Sequence, residues 1–166
     1  MRIYGCDSEK DEKNEKTKET PNVVMEKLLK SRTIIISGEI NQALAERVIA
    51  QLLILEEMGD EPIKIFINSQ GGHVEAGDTI HDMIKFVKPK VIIIGTGWVA
   101  SAGITIYLAA DKENRYSLPN TRYMIHQPLG GFNGQATDIG IEAEEILRMR
   151  KRINTIISEA TGQSLE

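Results

Sequence analysis

The run Val91-Ile92-Ile93-Ile94-Gly95-Thr96-Gly97-Trp98-Val99-Ala100-Ser101-Ala102-Gly103 heads a stretch of twenty residues, from Val91 to Ala110, that carries no charge. Twenty residues just suffice to cross a bilayer as a helix. Four consecutive β-branched residues open the run, however, and Gly95, Gly97 and Gly103 punctuate it. β-Branched side chains favour a strand, and glycine allows the chain to turn sharply. Strand, tight turn and buried helix fit this stretch better than a membrane helix.

The flanks repeat that pattern. Upstream, Val24, Leu28 and Leu29 suggest a short amphipathic helix, and Thr33-Ile34-Ile35-Ile36-Ser37 reads as a buried strand ended by Gly38. Asn41 is a plausible N-cap for a helix in which Leu44, Val48, Leu52 and Leu55 recur at helical spacing. Gly59 and Pro62 separate it from a strand at Ile63–Ile67, and a helix from about Val74 to Val87 follows. Downstream, short strands are expected near Arg115–Leu118 and Tyr123–His126, divided by Pro119-Asn120. The longest helix is expected from about Thr137 to Ala160, with Thr137 as its N-cap. Its apolar stripe is Ile146, Met149, Ile153, Ile156 and Ala160, which suits packing on its own domain or on another subunit equally. Strands alternating with helices mean an α/β fold around a largely parallel sheet.

Composition narrows the function classes. In 166 residues, 41% are hydrophobic and 27% charged, enough apolar material for one packed core. The single Cys6 excludes an internal disulfide and any cysteine-ligated zinc site. Three histidines outside any tract give metal binding no support, and a net charge of −4 argues against a nucleic-acid partner. The N-terminus has no apolar signal region. From Asp7 to Glu19 stand six acids and four lysines, so residues 1–22 read as a charged, disordered leader ahead of a domain at 23–166.

Ser101 falls where open α/β sheets place their ligands, just past the carboxyl end of a strand and at the start of a helix. Helix N-termini offer unpaired N–H groups and positive potential to a developing oxyanion. A serine there also reads as a simple N-cap. Val99 stands where the G-x-S-x-G elbow of α/β-hydrolases has its first glycine. Asn68-Ser69-Gln70-Gly71-Gly72 should form a loop beside that turn, its glycines baring backbone N–H groups or merely linking strand to helix. His126 is a candidate general base, although a lone histidine before Gln-Pro is also a common structural residue. His73 and His81 read as surface-helix positions.

Three strings carry a specific resemblance: Ile67-Asn68-Ser69-Gln70-Gly71-Gly72, then Ala100-Ser101-Ala102-Gly103, then Leu118-Pro119-Asn120 through Met124-Ile125-His126-Gln127-Pro128-Leu129-Gly130-Gly131. Gly134-Gln135-Ala136-Thr137-Asp138-Ile139 extends it. Over about residues 25–166 the chain resembles the ClpP family, the proteolytic subunits of the ATP-dependent Clp protease. The resemblance implies a crotonase-like fold of repeated β-β-α units with a protruding handle helix, the handle region spanning about 127–160. It implies a serine endopeptidase with Ser101 as nucleophile, His126 as general base and the N–H groups of Gly72 and Ala102 as oxyanion hole. It implies cytoplasmic, self-assembled, stacked seven-membered rings, alone or mixed with a second ClpP. An AAA+ ATPase would feed them unfolded polypeptide, and peptide hydrolysis would need no cofactor or metal. No membrane or nucleic acid enters this scheme.

The sequence departs from that family at several points. The family's triad aspartate follows a helix end like Thr161-Gly162-Gln163, and no residue up to Glu166 occupies that place. The expectation is therefore a divergent paralogue, incomplete at its C-terminal end and without a triad Asp, either a peptidase or a weakly active, regulatory ring subunit. The axial segment that meets the ATPase is not recognisable in Met1–Pro21. Gln70 replaces a proline, and Trp98 and Ala102 replace smaller and larger residues respectively.

Overall fold

A computed structural model describes residues 23–128, 130–131 and 133–165; the leader expected over 1–22 lies outside them. Residues 23–30 form α1. The chain continues through β1 (Thr33–Ile40), α2 (Gln42–Met58), β2 (Ile63–Gly72), α3 (Val74–Phe86), β3 (Val91–Ala100) and α4 (Ala102–Tyr107). A 3₁₀ turn (Lys112–Asn114), β4 (Arg115–Ser117), β5 (Arg122–Met124) and α5 (Ala136–Thr161) complete it. The stretch that opened the sequence reading is thus strand and buried helix. No helix among the described residues is long and apolar enough to cross a membrane.

The sheet runs β1-β2-β3-β4, with β5 also paired to β3, and each of these pairs is parallel. The first three strands are longer than their apolar runs suggest, because each passes through its turn signal rather than stopping there. The β1–β2 register shifts between Ser37 and Glu39, and the β2–β3 register between Ile67 and Ser69. Each long strand is therefore two short ones joined at a bulge. In the fourth unit the break is complete: β4 pairs the first half of β3, β5 pairs its second half, and Pro119-Asn120 lies between. This is the repeated β-β-α unit that the resemblance implied. Asn68, expected in a loop, holds the break by accepting the Trp98 N–H on Oδ1 at 3.1 Å. Trp98 in turn lies 4.7 Å beneath the Arg122 guanidinium, tying β3 to β5.

One sheet face is covered by helices. Ile34, Ile36, Ile63, Ile65, Ile67 and Ile93 pack there against Leu44, Val48, Leu52, Leu55 and Ile80 in a single core. The other face is open. Ile35, within the run expected to be buried, is 54% exposed there. Asn41 caps α2 as expected, accepting the Leu44 N–H on Oδ1 at 2.9 Å. At the far end of α2 the Arg32 guanidinium donates to the carbonyls of Leu55 and Gly59, so a remote cation closes the helix. Asn41→Ala should cost about 1 kcal/mol, read as a melting temperature about 2–4 °C lower.

α5 begins at Ala136, so Thr137 lies inside it rather than capping it. Its C-terminal half is anchored on its own domain: Arg152 pairs with Asp78, Arg115 donates to the Ala160 carbonyl at 2.8 Å, and Ile156, Ile157 and Ala160 pack on the core. Its N-terminal half stands exposed, with Ile139, Ile141 and Leu147 in solvent.

Candidate active site

Strand β3 becomes helix α4 across one residue, Ser101. That reversal needs an unusual backbone, and Ser101 adopts φ 53°, ψ −123°. Outside glycine this conformation costs roughly 1–3 kcal/mol and survives only where the surroundings impose it. Two bonds impose it here. The Ser101 N–H donates to the Met124 carbonyl of β5 at 3.0 Å, and its carbonyl accepts from the Ile104 N–H at 2.9 Å. The side chain makes no capping bond, so the simple N-cap reading is set aside and Oγ is left uncommitted. The geometry is that of a nucleophile elbow without the G-x-S-x-G signature. Space comes instead from Ala100, Ala102 and a glycine on the neighbouring strand.

That glycine is Gly71. The segment expected as a loop, Asn68 to Gly72, forms the end of β2, so its place beside Ser101 is fixed by the sheet. A Cβ on Gly71 would stand 2.5 Å from Ser101 Cβ and 2.8 Å from the Ala100 carbonyl oxygen. Ser69, buried within β2, donates its hydroxyl to the Gly38 carbonyl at 2.5 Å and accepts the Gly71 N–H at 3.0 Å. With the Gly71 N–H so occupied, Gly72 is the member of the pair left to act as a donor. Ala102 opens α4 and is buried. α4 has only six residues, so it brings single N–H groups rather than the helix-end potential expected from the sequence.

His126 follows β5 by two residues and is exposed. Its Nδ1 lies 2.8 Å from the Gln127 carbonyl oxygen. A carbonyl can only accept, so this contact is a hydrogen bond in the tautomer that carries its proton on Nδ1, which is the one that leaves the lone pair on Nε2. Ser101 and His126 line the same two hollows. One is a cleft of about 300 Å³ walled by Gly71, Gly72 and Pro128; the other is an apolar pocket walled by Ala102, Ile104, Thr105, Ile125, Ile153 and Ile157. The two catalytic candidates share these hollows without a hydrogen bond between them, as is common before substrate binds. A larger cavity of about 460 Å³, between α3 and the end of α5, touches neither.

Of the two other histidines, only His81 differs from expectation. His73 is the N-cap of α3, its Nδ1 accepting the Ala76 N–H at 3.4 Å. His81 is buried rather than on a surface, with Nδ1 2.7 Å from the Thr105 carbonyl oxygen. α4 covers that face of α3, and the imidazole supplies the hydrogen bond between them. Tyr107, at the end of α4, is held neutral: burial raises its phenol above the ordinary range, and the neighbouring Tyr123 adds to the effect. Asp138, in the first turn of α5, forms no hydrogen bond to His126, and Glu166 lies outside the described residues.

Comparison with known proteins gives a consistent result. The family model described as Clp protease matches residues 15–166. "ATP-dependent Clp protease proteolytic subunit 3" of Rhizobium etli is 57% identical over 158 residues, covering 94% of this chain and 81% of that protein. "ATP-dependent Clp protease proteolytic subunit 2" of Pseudomonas aeruginosa is 54% identical, covering 86% of this chain and 71% of that protein. Among solved structures, ClpP1 from Listeria monocytogenes superposes with a TM-score of 0.76 at 68% identity, covering 86% of this chain and 79% of that one.

Proposed function

This chain belongs to the Clp protease family, and from that premise we propose that Ser101 is the nucleophile of its serine-peptidase site and His126 the general base. The N–H groups of Gly72 and Ala102 would form the oxyanion hole. The observation that carries this assignment is the strained Ser101 elbow, which aims an uncommitted hydroxyl into the cleft shared with His126.

In the first step Ser101 Oγ attacks the peptide carbonyl carbon while its proton passes to His126 Nε2. The carbonyl oxygen becomes an oxyanion, which the two amides stabilise. The tetrahedral species collapses as His126 returns the proton to the departing amine, leaving an acyl-serine. Water, deprotonated by the same nitrogen, then attacks the ester and releases the acid. The Gln127 carbonyl fixes the tautomer that this sequence of transfers requires. It adds only a dipole toward the imidazolium, where a carboxylate would add a full charge. The apolar pocket beside Ser101, narrowed by Ile104, Ile153 and Ile157 to about 20 Å³, has room for little more than one water, so an acyl side chain would enter it only if those residues part.

The same proposal covers the assembly: stacked seven-membered rings, alone or mixed with a second ClpP, joined through the α5 handle region at about 127–160. A cytoplasmic AAA+ ATPase would deliver unfolded polypeptide to them. Supporting this are the open sheet face around Ile35 and the exposed Ile139, Ile141 and Leu147 of α5. Exposed apolar side chains of this kind are what an interface would cover. The relatives from Rhizobium etli and Pseudomonas aeruginosa carry ATP dependence in their names.

The test is to offer the purified protein a short apolar peptidyl-aminocoumarin beside an acyl thioester, the other substrate class that oxyanion-hole folds of this kind process. Release of aminocoumarin with the thioester intact is expected. Turnover of the thioester alone would overturn the reading.

A further inference from the structure

Among the described residues, Glu39 is the one carboxylate lining the cleft that exposes Ser101 and, His126 apart, its one ionisable group. The sheet dictates where the residue stands. Glu39 on β1 is the register partner of Gly71 on β2. Partners in a parallel ladder stand about 4.8 Å apart. The Cβ direction at Gly71 ends against Ser101, 2.5 Å from its Cβ. Glu39 and Ser101 line the same cleft, so the Glu39 side chain lies on the side that Ser101 occupies, one strand away.

The position is held from both flanks. Just before Glu39, the Gly38 carbonyl accepts the Ser69 hydroxyl, and that same hydroxyl accepts the Gly71 N–H. Just after it, Ile40 is fully buried and its carbonyl accepts the His73 N–H at 2.8 Å. Among the described residues β1 is an edge strand, with no strand of the sheet beyond Glu39. Among the described residues its carboxylate forms no ion pair or hydrogen bond. A fixed backbone, an unspent charge and a shared cleft together describe a subsite. Glu39 does not stand in for a triad carboxylate, because His126 Nδ1 is already bonded to Gln127.

We propose that Glu39 is a specificity-determining residue that selects substrates with a lysine or arginine side chain within two residues of the scissile bond and disfavours acidic side chains there. This rests on the reading of Ser101 and His126 as the peptidase site. Because the pair is partly solvated, attraction to a base and repulsion of an acid together amount to about tenfold at low salt, shrinking as salt screens them.

Internally quenched peptides carrying either Lys or Glu at each of the two positions on both sides of the cleaved bond test this. At one of those positions the wild-type protein should prefer Lys to Glu by about tenfold in kcat/KM. Glu39→Gln should bring that ratio to about one, and Glu39→Lys should reverse it. The same peptides are titrated onto the Ser101→Ala protein by fluorescence anisotropy, so charge selection is read without turnover. A Lys preference in Kd that Glu39→Gln abolishes supports the assignment even if no peptide is cut, a failure that would fall on the catalytic reading instead. Equal Kd values for Lys and Glu peptides, or a Lys-to-Glu ratio unchanged in Glu39→Gln, overturn it.

Discussion

Replacing Ser101 with alanine is expected to lower kcat/KM for peptide hydrolysis by at least about 10⁴-fold, and His126→Ala by a similar factor. The double variant should be no worse than either single one. Serine and imidazole act on one proton in one step, so once either is gone the other has nothing left to do. Only oxyanion stabilisation and binding remain. Initial rates on a peptidyl-aminocoumarin would measure all three. The fold should be untouched, because the Ser101 hydroxyl makes no capping bond and alanine inherits the same backbone bonds to Met124 and Ile104. Unchanged thermal melts beside lost activity would separate chemistry from stability. Additive losses in the double variant would mean that the two residues do not work as a unit.

Gly71→Ala should be the most damaging single-methyl change near the site. Its backbone lies at φ +95°, and the new Cβ would fall 2.5 Å from Ser101 Cβ and 2.8 Å from the Ala100 carbonyl oxygen. Real carbons do not approach so closely, so β2 must part from the elbow or Ser101 must leave its strained conformation. The left-handed backbone alone costs about 1–2 kcal/mol, and overpacking adds about 1–3 kcal/mol. A displacement of about 1 Å at the nucleophile is worth about 10²-fold in rate. Urea unfolding and peptide kinetics on the same preparation would record both. Gly162→Ala is the natural control: at φ +72° with nothing within 4 Å, it carries the backbone penalty without the collision and lies outside the cleft. Comparable loss of activity in the two would contradict the packing argument.

What the sequence made legible was local. The Leu44, Val48, Leu52 and Leu55 stripe and the Asn41 cap are stated within a few residues of one another, and the structure has both. Ser101 stands at the strand-to-helix junction read from the sequence; it shares one cleft with His126 and Gly72 and a second hollow with His126 and Ala102. What escaped was set by partners far along the chain. Gly38, Asn68 and Gly97 look like strand ends, but the next strand continues pairing past each of them, so they become bulges. His81 reads as an exposed helical residue until α4, 24 positions on, lies over it. Ser101 had no elbow signature because the close approach is granted by Gly71 on another strand. Glu39 drew no reading from the sequence, because only the ladder sets it beside Gly71.

The most direct measurement is an intact-mass spectrum of the purified protein after exposure to a fluorophosphonate, with Ser101→Ala treated in parallel. An activated serine in an oxyanion hole attacks the phosphorus and expels fluoride, so one phosphonyl adduct per chain is expected, absent in Ser101→Ala. A wild-type protein that stays unmodified, or an adduct that persists in Ser101→Ala, would contradict the assignment of Ser101 as the nucleophile.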